Sequence, residues 1–421
     1  MYLTLILLYF FPIQSLYSPM IELVKSMELY RTASPFDRRV TALEWHPTKS
    51  DILAVGSKGG DIILWDTEHF DKDKIVQGIG AAGSCQAMKF WPWDRDKVVS
   101  ASINGTVTLH DFELQTGTVL ADTMNSYDHW YCSLDVNTNR YIVAAGRNQG
   151  ILHLMSTEGR KIFEYRLHKN KVTHVEFSPR EEWMLCTAST DCTVQLWDIR
   201  FIKDRKSVVE KLVHDKPVNS AYFSHTDGCR LLTTDQGTNI RVYRAPYWHL
   251  ETTIEHPHRF FQHITPFKAT WHPLQDLIVC GRYPDKNFPG SGQELRTIDI
   301  FEAENGKTVA QLYNPSSNGL CPLNKFNWQG DALATGMGFH ILLWNRQKLI
   351  SRKQLNLMES MSSKPGQSSS SSSRNLASDP LSSSRQRPRP SKKKKTTDED
   401  IDDLKKKTKT KTSDNTKTRK K

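Results

Sequence analysis

The chain has 421 residues, enough for one large β domain or two or three smaller ones. Its formal charge of +11 sits at the carboxyl end: from Ser351 onward there are 20 Lys and Arg against 8 Asp and Glu, which leaves 37 against 38, a net of −1, on the preceding 350 residues. The basic balance therefore says nothing about the body, where nucleic-acid contact would need a local patch of cations. Seven cysteines (Cys85, Cys132, Cys186, Cys192, Cys229, Cys280, Cys321) are scattered and never spaced C-x-x-C, which argues against a disulfide framework or a zinc knuckle and fits a reducing compartment.

In chain order, Met1–Pro12 is apolar but too short for a membrane span, with no Lys or Arg before it as a secretory leader requires. It reads as an anomalous amino terminus. Met20, Leu23, Val24 and Met27 keep helical spacing after Pro19, predicting one short amphipathic helix that either packs on the body or meets a partner.

From Val40 a repeat takes over. Each unit reads apolar strand, turn, small-residue strand, turn, and a strand ending near Trp-Asp, as in Trp65-Asp66 and Trp197-Asp198. Equivalent strand ends at positions 65, 110, 155, 197, 243, 301 and 344 are separated by 45, 45, 42, 46, 58 and 43 residues. That period with Trp-Asp endings predicts an all-β, seven-bladed WD40 β-propeller, in which ring closure removes exposed sheet edges. The predicted organisation is an N-terminal helical segment over 1–35, the propeller over 36–350, and a disordered Ser/Lys-rich basic tail over 351–421. Within that tail Arg385–Lys395 reads as a nuclear-import signal, so the expected location is the nucleus.

The sixth unit is too long. Its extra residues fall at Arg282–Gln293, and the run Glu255–Pro266 (EHPHRFFQHITP) opens the same unit. Alone, the paired phenylalanines read as core of an ordinary strand more readily than as a wedge. Insertions in repeat proteins become loops on one face, however, which moves the reading towards a functional hairpin. Arg38, Arg39, Lys58, Lys169, Lys171, Arg259, Arg282 and Arg296 fall near blade starts or interblade turns, where they either crowd one rim as a phosphate-binding surface or form a solvated ring of unrelated charges. Asp198 and Arg200 form a Trp-Asp-x-Arg motif on the opposite rim, read either as an adaptor-docking element or as a local ion pair. No P-loop, G-x-S-x-G or H-E-x-x-H is present, and no catalytic residue, metal or cofactor is expected. His46, His168 and His272 read as structural propeller histidines.

The segments PFDRR, VGSKGGDIILWD, GIGAAGS, CSLDV, HKNKVTHV, LLTTDQ, HPHRFFQH, GRYPD, ELRTID and FNWQGDALATGMGFHILLW occur in order between about Tyr30 and Trp344. Together they resemble the damage-specific DNA-binding protein 2 family, the small WD-repeat subunit of the UV-damaged DNA-binding complex. The resemblance implies damaged double-stranded DNA as ligand, with Phe261, Gln262 and His263 as a wedge in the minor groove where the damaged bases flip out. It implies that Trp130, Lys171 and Tyr283 lie near the lesion and that Arg39, Lys58, Arg259, Arg282 and Arg296 meet phosphates. It also implies docking on a large adaptor subunit of a cullin 4 RING ubiquitin ligase acting on histones and chromatin, and entry into nucleotide excision repair. The alternative function class is a WD-repeat scaffold for histones or other proteins without damage-specific binding. The chain departs from the resemblance in its apolar start, in its single clear helix and in its long Ser/Lys-rich tail.

Overall fold

The computed structural model describes residues 17–69, 73–258, 264–284, 295–346 and 352. Within them lie seven antiparallel four-stranded sheets. Numbered from the first Trp-Asp unit, blade one spans Val40–Val76, blade two Cys85–Asp122, blade three Tyr131–Arg166, blade four Val172–Val213, blade five Val218–Glu255 and blade six Thr270–Leu312. Blade seven joins Leu323–Phe326, Ala332–Met337 and His340–Arg346 to Met27–Ala33, which pairs antiparallel with His340–Arg346 as its outermost strand.

That last pairing corrects the sequence reading in two places. Met27–Ala33 is a propeller strand, not part of a separate N-terminal segment, and it fastens the two ends of the ring together. Met27 thus begins a strand, and the helix occupies 17–25. Its apolar spacing survives for a local reason: Tyr17, Ile21 and Leu23 pack with buried Val24 and Met27 against Leu277, Ile300 and Leu312 of blade six and Leu342 of blade seven. The Tyr17 hydroxyl donates to Glu302 at the end of a blade-six strand. The helix packs on the body.

Strand residues alternate between adjacent sheets, so most inner strands of the blades are buried on both faces and read as apolar runs, whereas the outermost strands, such as Thr116–Asp122 and Lys161–Arg166, are largely exposed. Inner-strand side chains stitch neighbours together. Asp135 of blade three accepts from the Phe177 amide of blade four at 2.7 Å, and Glu176 of blade four accepts from the Phe223 amide of blade five at 2.7 Å. The indole N–H groups of Trp45 and Trp271 donate to the Lys325 and Tyr222 carbonyls of the preceding blades.

The channel wall carries charge. Lys89 lies 3.3 Å from Asp135 and 3.9 Å from Glu44, which also pairs with Lys325. Burial opposes ionisation of Glu44, but Lys325 and Lys89 outweigh it and hold its pKa below the ordinary value. Glu176 goes the other way: burial pushes its carboxyl up to about 8, against the pull of Lys89.

Candidate nucleic-acid interface

Antiparallel strands place alternate connections at opposite ends of the propeller. One rim receives the turns at 34–39, 77–84, 123–130, 167–171, 214–217 and 313–322, together with the two long blade-six connections at 256–269 and 282–297. The described candidate DNA residues, Arg39, Lys58, Trp130, Lys171, Arg282, Tyr283 and Arg296, fall on this rim, and Asp198 and Arg200 fall on the other. Arg259, Phe261, Gln262 and His263 lie outside the described residues.

At the mouth of the channel on this rim is a cavity of about 320 Å³. Among the described residues its charged lining side chains are Arg39, Lys171 and Lys268, with no carboxylate; Asn219 and Gln236 add amides. A cation-lined concavity on a body of net charge −1 is the local patch that nucleic-acid contact requires. Burial lowers the pKa of the Arg39 guanidinium. Burial, then the nearby charges of Lys171 and Lys325, bring Lys268 down to about 8. The charges of Lys171 and Lys325 acting on buried Lys268 favour an anion at this mouth.

The mouth brings together some predicted residues and not others. Lys171 is half-buried, with its carbonyl accepting from the Thr190 amide at 3.0 Å. Lys58 is exposed on the neighbouring turn, where its amide donates to the Arg39 carbonyl at 2.8 Å. Trp130 is fixed at its backbone by Asn148, through 3.0 Å and 3.1 Å hydrogen bonds. Arg296 is exposed and donates to the Asn318 carbonyl at 3.2 Å. Lys268 was missed from sequence; its signal is a lysine two residues past Pro266, where the chain enters the innermost strand of blade six.

Arg282 is more constrained than its sequence suggests. Its Nε and Nη2 donate to the Asp299 carboxylate at 2.7 Å and 2.6 Å, and Asp299 is fully buried. His256 reaches the same carboxylate at 3.2 Å. Burial pushes the Asp299 carboxyl up, but His256, Thr297 and Arg282 outweigh it and leave it below the ordinary range. The Tyr283 amide donates to the Pro257 carbonyl at 2.7 Å, and its ring meets Phe267 edge-on at 6.4 Å. The roots of the two long connections are thus laced to each other.

His256, His258 and Cys280 bring ligand-type atoms within 4.8 Å of one another. Their ring nitrogens already have protein partners: the two Nδ1 atoms face each other at 3.2 Å, and His258 Nε2 lies 3.1 Å from the Asp235 carbonyl oxygen. Burial, then His256, hold the His258 pKa at about 3, so that ring is neutral. The other singled-out histidines have structural partners too. His46 caps the Thr48 and Lys49 amides, His272 accepts from the Leu274 amide, and His168 closes a network within blade four.

On the opposite rim Arg200 makes a bidentate ion pair with Asp198, at 2.7 Å for the Nη2 contact, and its guanidinium lies 4.7 Å from the Trp183 ring centroid. The hydrogen bond from Arg200 holds the Asp198 pKa below the ordinary range. The local pair is therefore real, and it leaves the Arg200 side chain 42% exposed.

Ring, closure strand and cation-lined mouth define a WD-repeat β-propeller protein with one anion-attracting rim. A WD domain, G-beta repeat model matches residues 159–198, the end of blade three and three strands of blade four. The chain is 51% identical to DNA damage-binding protein 2 of Gallus gallus over 359 residues, covering 83% of this chain and 70% of that protein. It is 48% identical to DNA damage-binding protein 2 of Bos taurus over 79% of this chain and 78% of that protein. It is 33% identical to Protein DAMAGED DNA-BINDING 2 of Arabidopsis thaliana over 74% of this chain and 58% of that protein. The chain belongs to the DNA damage-binding protein 2 family.

Proposed function

We propose that this protein binds damaged duplex DNA on the rim that carries the blade-six connections. The observation that carries the reading is the channel mouth, lined by Arg39, Lys171 and Lys268 with no carboxylate among the described residues, on a body that is otherwise electrically balanced. Phosphates supply the anion that this mouth demands. In this reading Phe261, Gln262 and His263 enter the duplex at the lesion while Trp130, Lys171 and Tyr283 meet the extruded bases. Lys58, Arg259 and Arg296 hold the backbone, with Arg282 contributing from its place beside Asp299.

The mechanism follows from the cost of opening DNA. Unstacking a normal step costs on the order of a few kcal/mol, and a photodimer or abasic site, already poorly stacked, costs less. A wedge that replaces lost stacking recovers part of that cost. Discrimination then comes from the deformability of the damaged site, with no base sequence read, and the rim cations fix the register. The chain's own residues bind and position; they break no bond.

On the opposite rim, exposed Phe201 lies 5.4 Å from the Arg200 guanidinium, and turns of other blades carry exposed Leu114, Tyr247 and Trp328. Exposed apolar side chains on that rim favour a protein partner at that end. The family suggests the large damage-binding subunit, and through it a cullin 4 RING ubiquitin ligase working on nuclear chromatin at the start of excision repair.

The test is equilibrium binding to matched duplexes with and without one photodimer or abasic site, in excess unmodified competitor. Tighter binding to the damaged duplex, by about tenfold or more, supports the reading; each tenfold corresponds to about 1.4 kcal/mol. Equal affinity for both would leave a WD-repeat protein scaffold as the better account.

A further inference from the structure

We propose that Asp299 is a positioning residue for the candidate interface, its single buried carboxylate tying the roots of both long blade-six connections into one unit. The proposal rests on the damage-binding reading above and adds a residue that touches no DNA.

Asp299 lies in the third strand of blade six, Ile298–Glu302, with no exposed surface. Five donors converge on it. Oδ2 takes His256 Nε2 at 3.2 Å, Arg282 Nε at 2.7 Å and Arg282 Nη2 at 2.6 Å. Oδ1 takes the Thr297 hydroxyl at 2.5 Å and Gln311 Nε2 at 3.2 Å. His256 stands at the root of the first connection, and Arg282 at the start of the second. The Tyr283–Pro257 backbone hydrogen bond runs beside this carboxylate bridge and joins the same two roots.

His256 Nε2 faces the Asp299 carboxylate, and His258 Nε2 faces the Asp235 carbonyl. The carboxylate thus takes donors from one residue of each connection, His256 and Arg282. Removing its charge weakens the ion pair to Arg282 and the hydrogen bond from His256 together, so both roots loosen.

The experiment uses the full chain with Asp299→Asn, which keeps shape and removes charge. Two readouts are taken: the damaged-to-intact affinity ratio, and hydrogen exchange in the DNA-free protein over peptides containing 256–258 and 282–284. The expected result is a fall of about tenfold or more in the ratio, because small misplacements of positioned groups are amplified in recognition. Salt-dependent binding to intact duplex should persist, and exchange should quicken in both peptides together. Glu251→Gln is the matched control. It weakens the pairs with Arg230 and Arg244 on the outer strand of blade five and should lower Tm while sparing the ratio.

If Asp299→Asn does not fold, His256→Gln carries the same two readouts with a smaller expected drop. An unchanged ratio in a folded variant overturns the proposal, as does exchange that quickens in one peptide only. A wild-type ratio of one would sink the damage-binding reading instead, and the exchange readout would still decide whether Asp299 couples the roots.

Discussion

Blades four and six begin alike and finish differently. In blade four, His168 at the start of the blade meets Asp191 in the next turn at 3.0 Å and Thr187 at 2.7 Å, and the Trp197 indole donates to the same threonine hydroxyl at 2.8 Å. This closed network fastens a turn of three residues, 190–192. In blade six, His256 holds the corresponding place, but its carboxylate has moved into the third strand as Asp299, and Phe301 stands where Trp197 does. The turn between the second and third strands no longer has to supply the aspartate and can lengthen to 282–297. A repeat fold makes room for function here by keeping the anchoring charge but moving it into a strand, so that the following connection is released from a structural duty.

The two blades should therefore answer mutation in different currencies, stability in blade four and recognition in blade six. The largest effect is expected from Trp197→Ala, which empties a fully buried site and should cost about 3–5 kcal/mol in denaturant unfolding while the folded fraction keeps its DNA preference. Loss of preference without loss of stability would erase the distinction. Next comes the combined replacement of Phe261, Gln262 and His263 by alanine. It should abolish damage preference and leave salt-dependent binding intact, with Tm changed little. Survival of the preference would move the wedge elsewhere.

A smaller effect belongs to the channel wall of blade four. The Glu176 carboxyl is pushed up to about 8 in the folded protein and returns to the ordinary carboxylate value on unfolding. The folded state is thus favoured below the ordinary value, and that advantage is lost as pH rises through about 8. Glu176→Gln keeps an acceptor for the Phe223 amide and removes the titration. Its Tm advantage over wild type should grow between the ordinary carboxylate value and about pH 8 and then level off; a flat difference would mean that Glu176 is ionised throughout. The smallest effect on stability, within about 0.5 kcal/mol, is expected for exposed Arg200→Glu, which should nonetheless reduce copurification of the large subunit.

The ring was legible because its signal is repeated: Trp65, Trp197 and Trp344 recur at blade spacing, and each marks a buried strand end. The closing strand was not, because nothing in Met-Glu-Leu-Tyr-Arg-Thr-Ala reveals a partner at His340–Arg346, some three hundred residues away. The candidate rim was legible as a cluster of cations near turns, since topology sends those turns to one end. Lys268 escaped notice because a residue at the head of an inner strand faces the channel, a direction that apolar patterning does not report. Arg282 looked like a plain phosphate contact because its partner sits in the unremarkable strand Thr297-Ile298-Asp299-Ile300. Only the fold reveals that this aspartate is buried and tied to His256 and Arg282 at the roots of both long connections.

The central claim is that the blade-six rim opens the duplex at a lesion. Its most direct test is the fluorescence of a 2-aminopurine placed next to an abasic site, which brightens when the base loses its stacking partners. Binding of the wild-type chain should brighten the probe, and the alanine variant at Phe261, Gln262 and His263 should bind without doing so. Equal brightening by both proteins, or none with the wild type bound, would contradict the account.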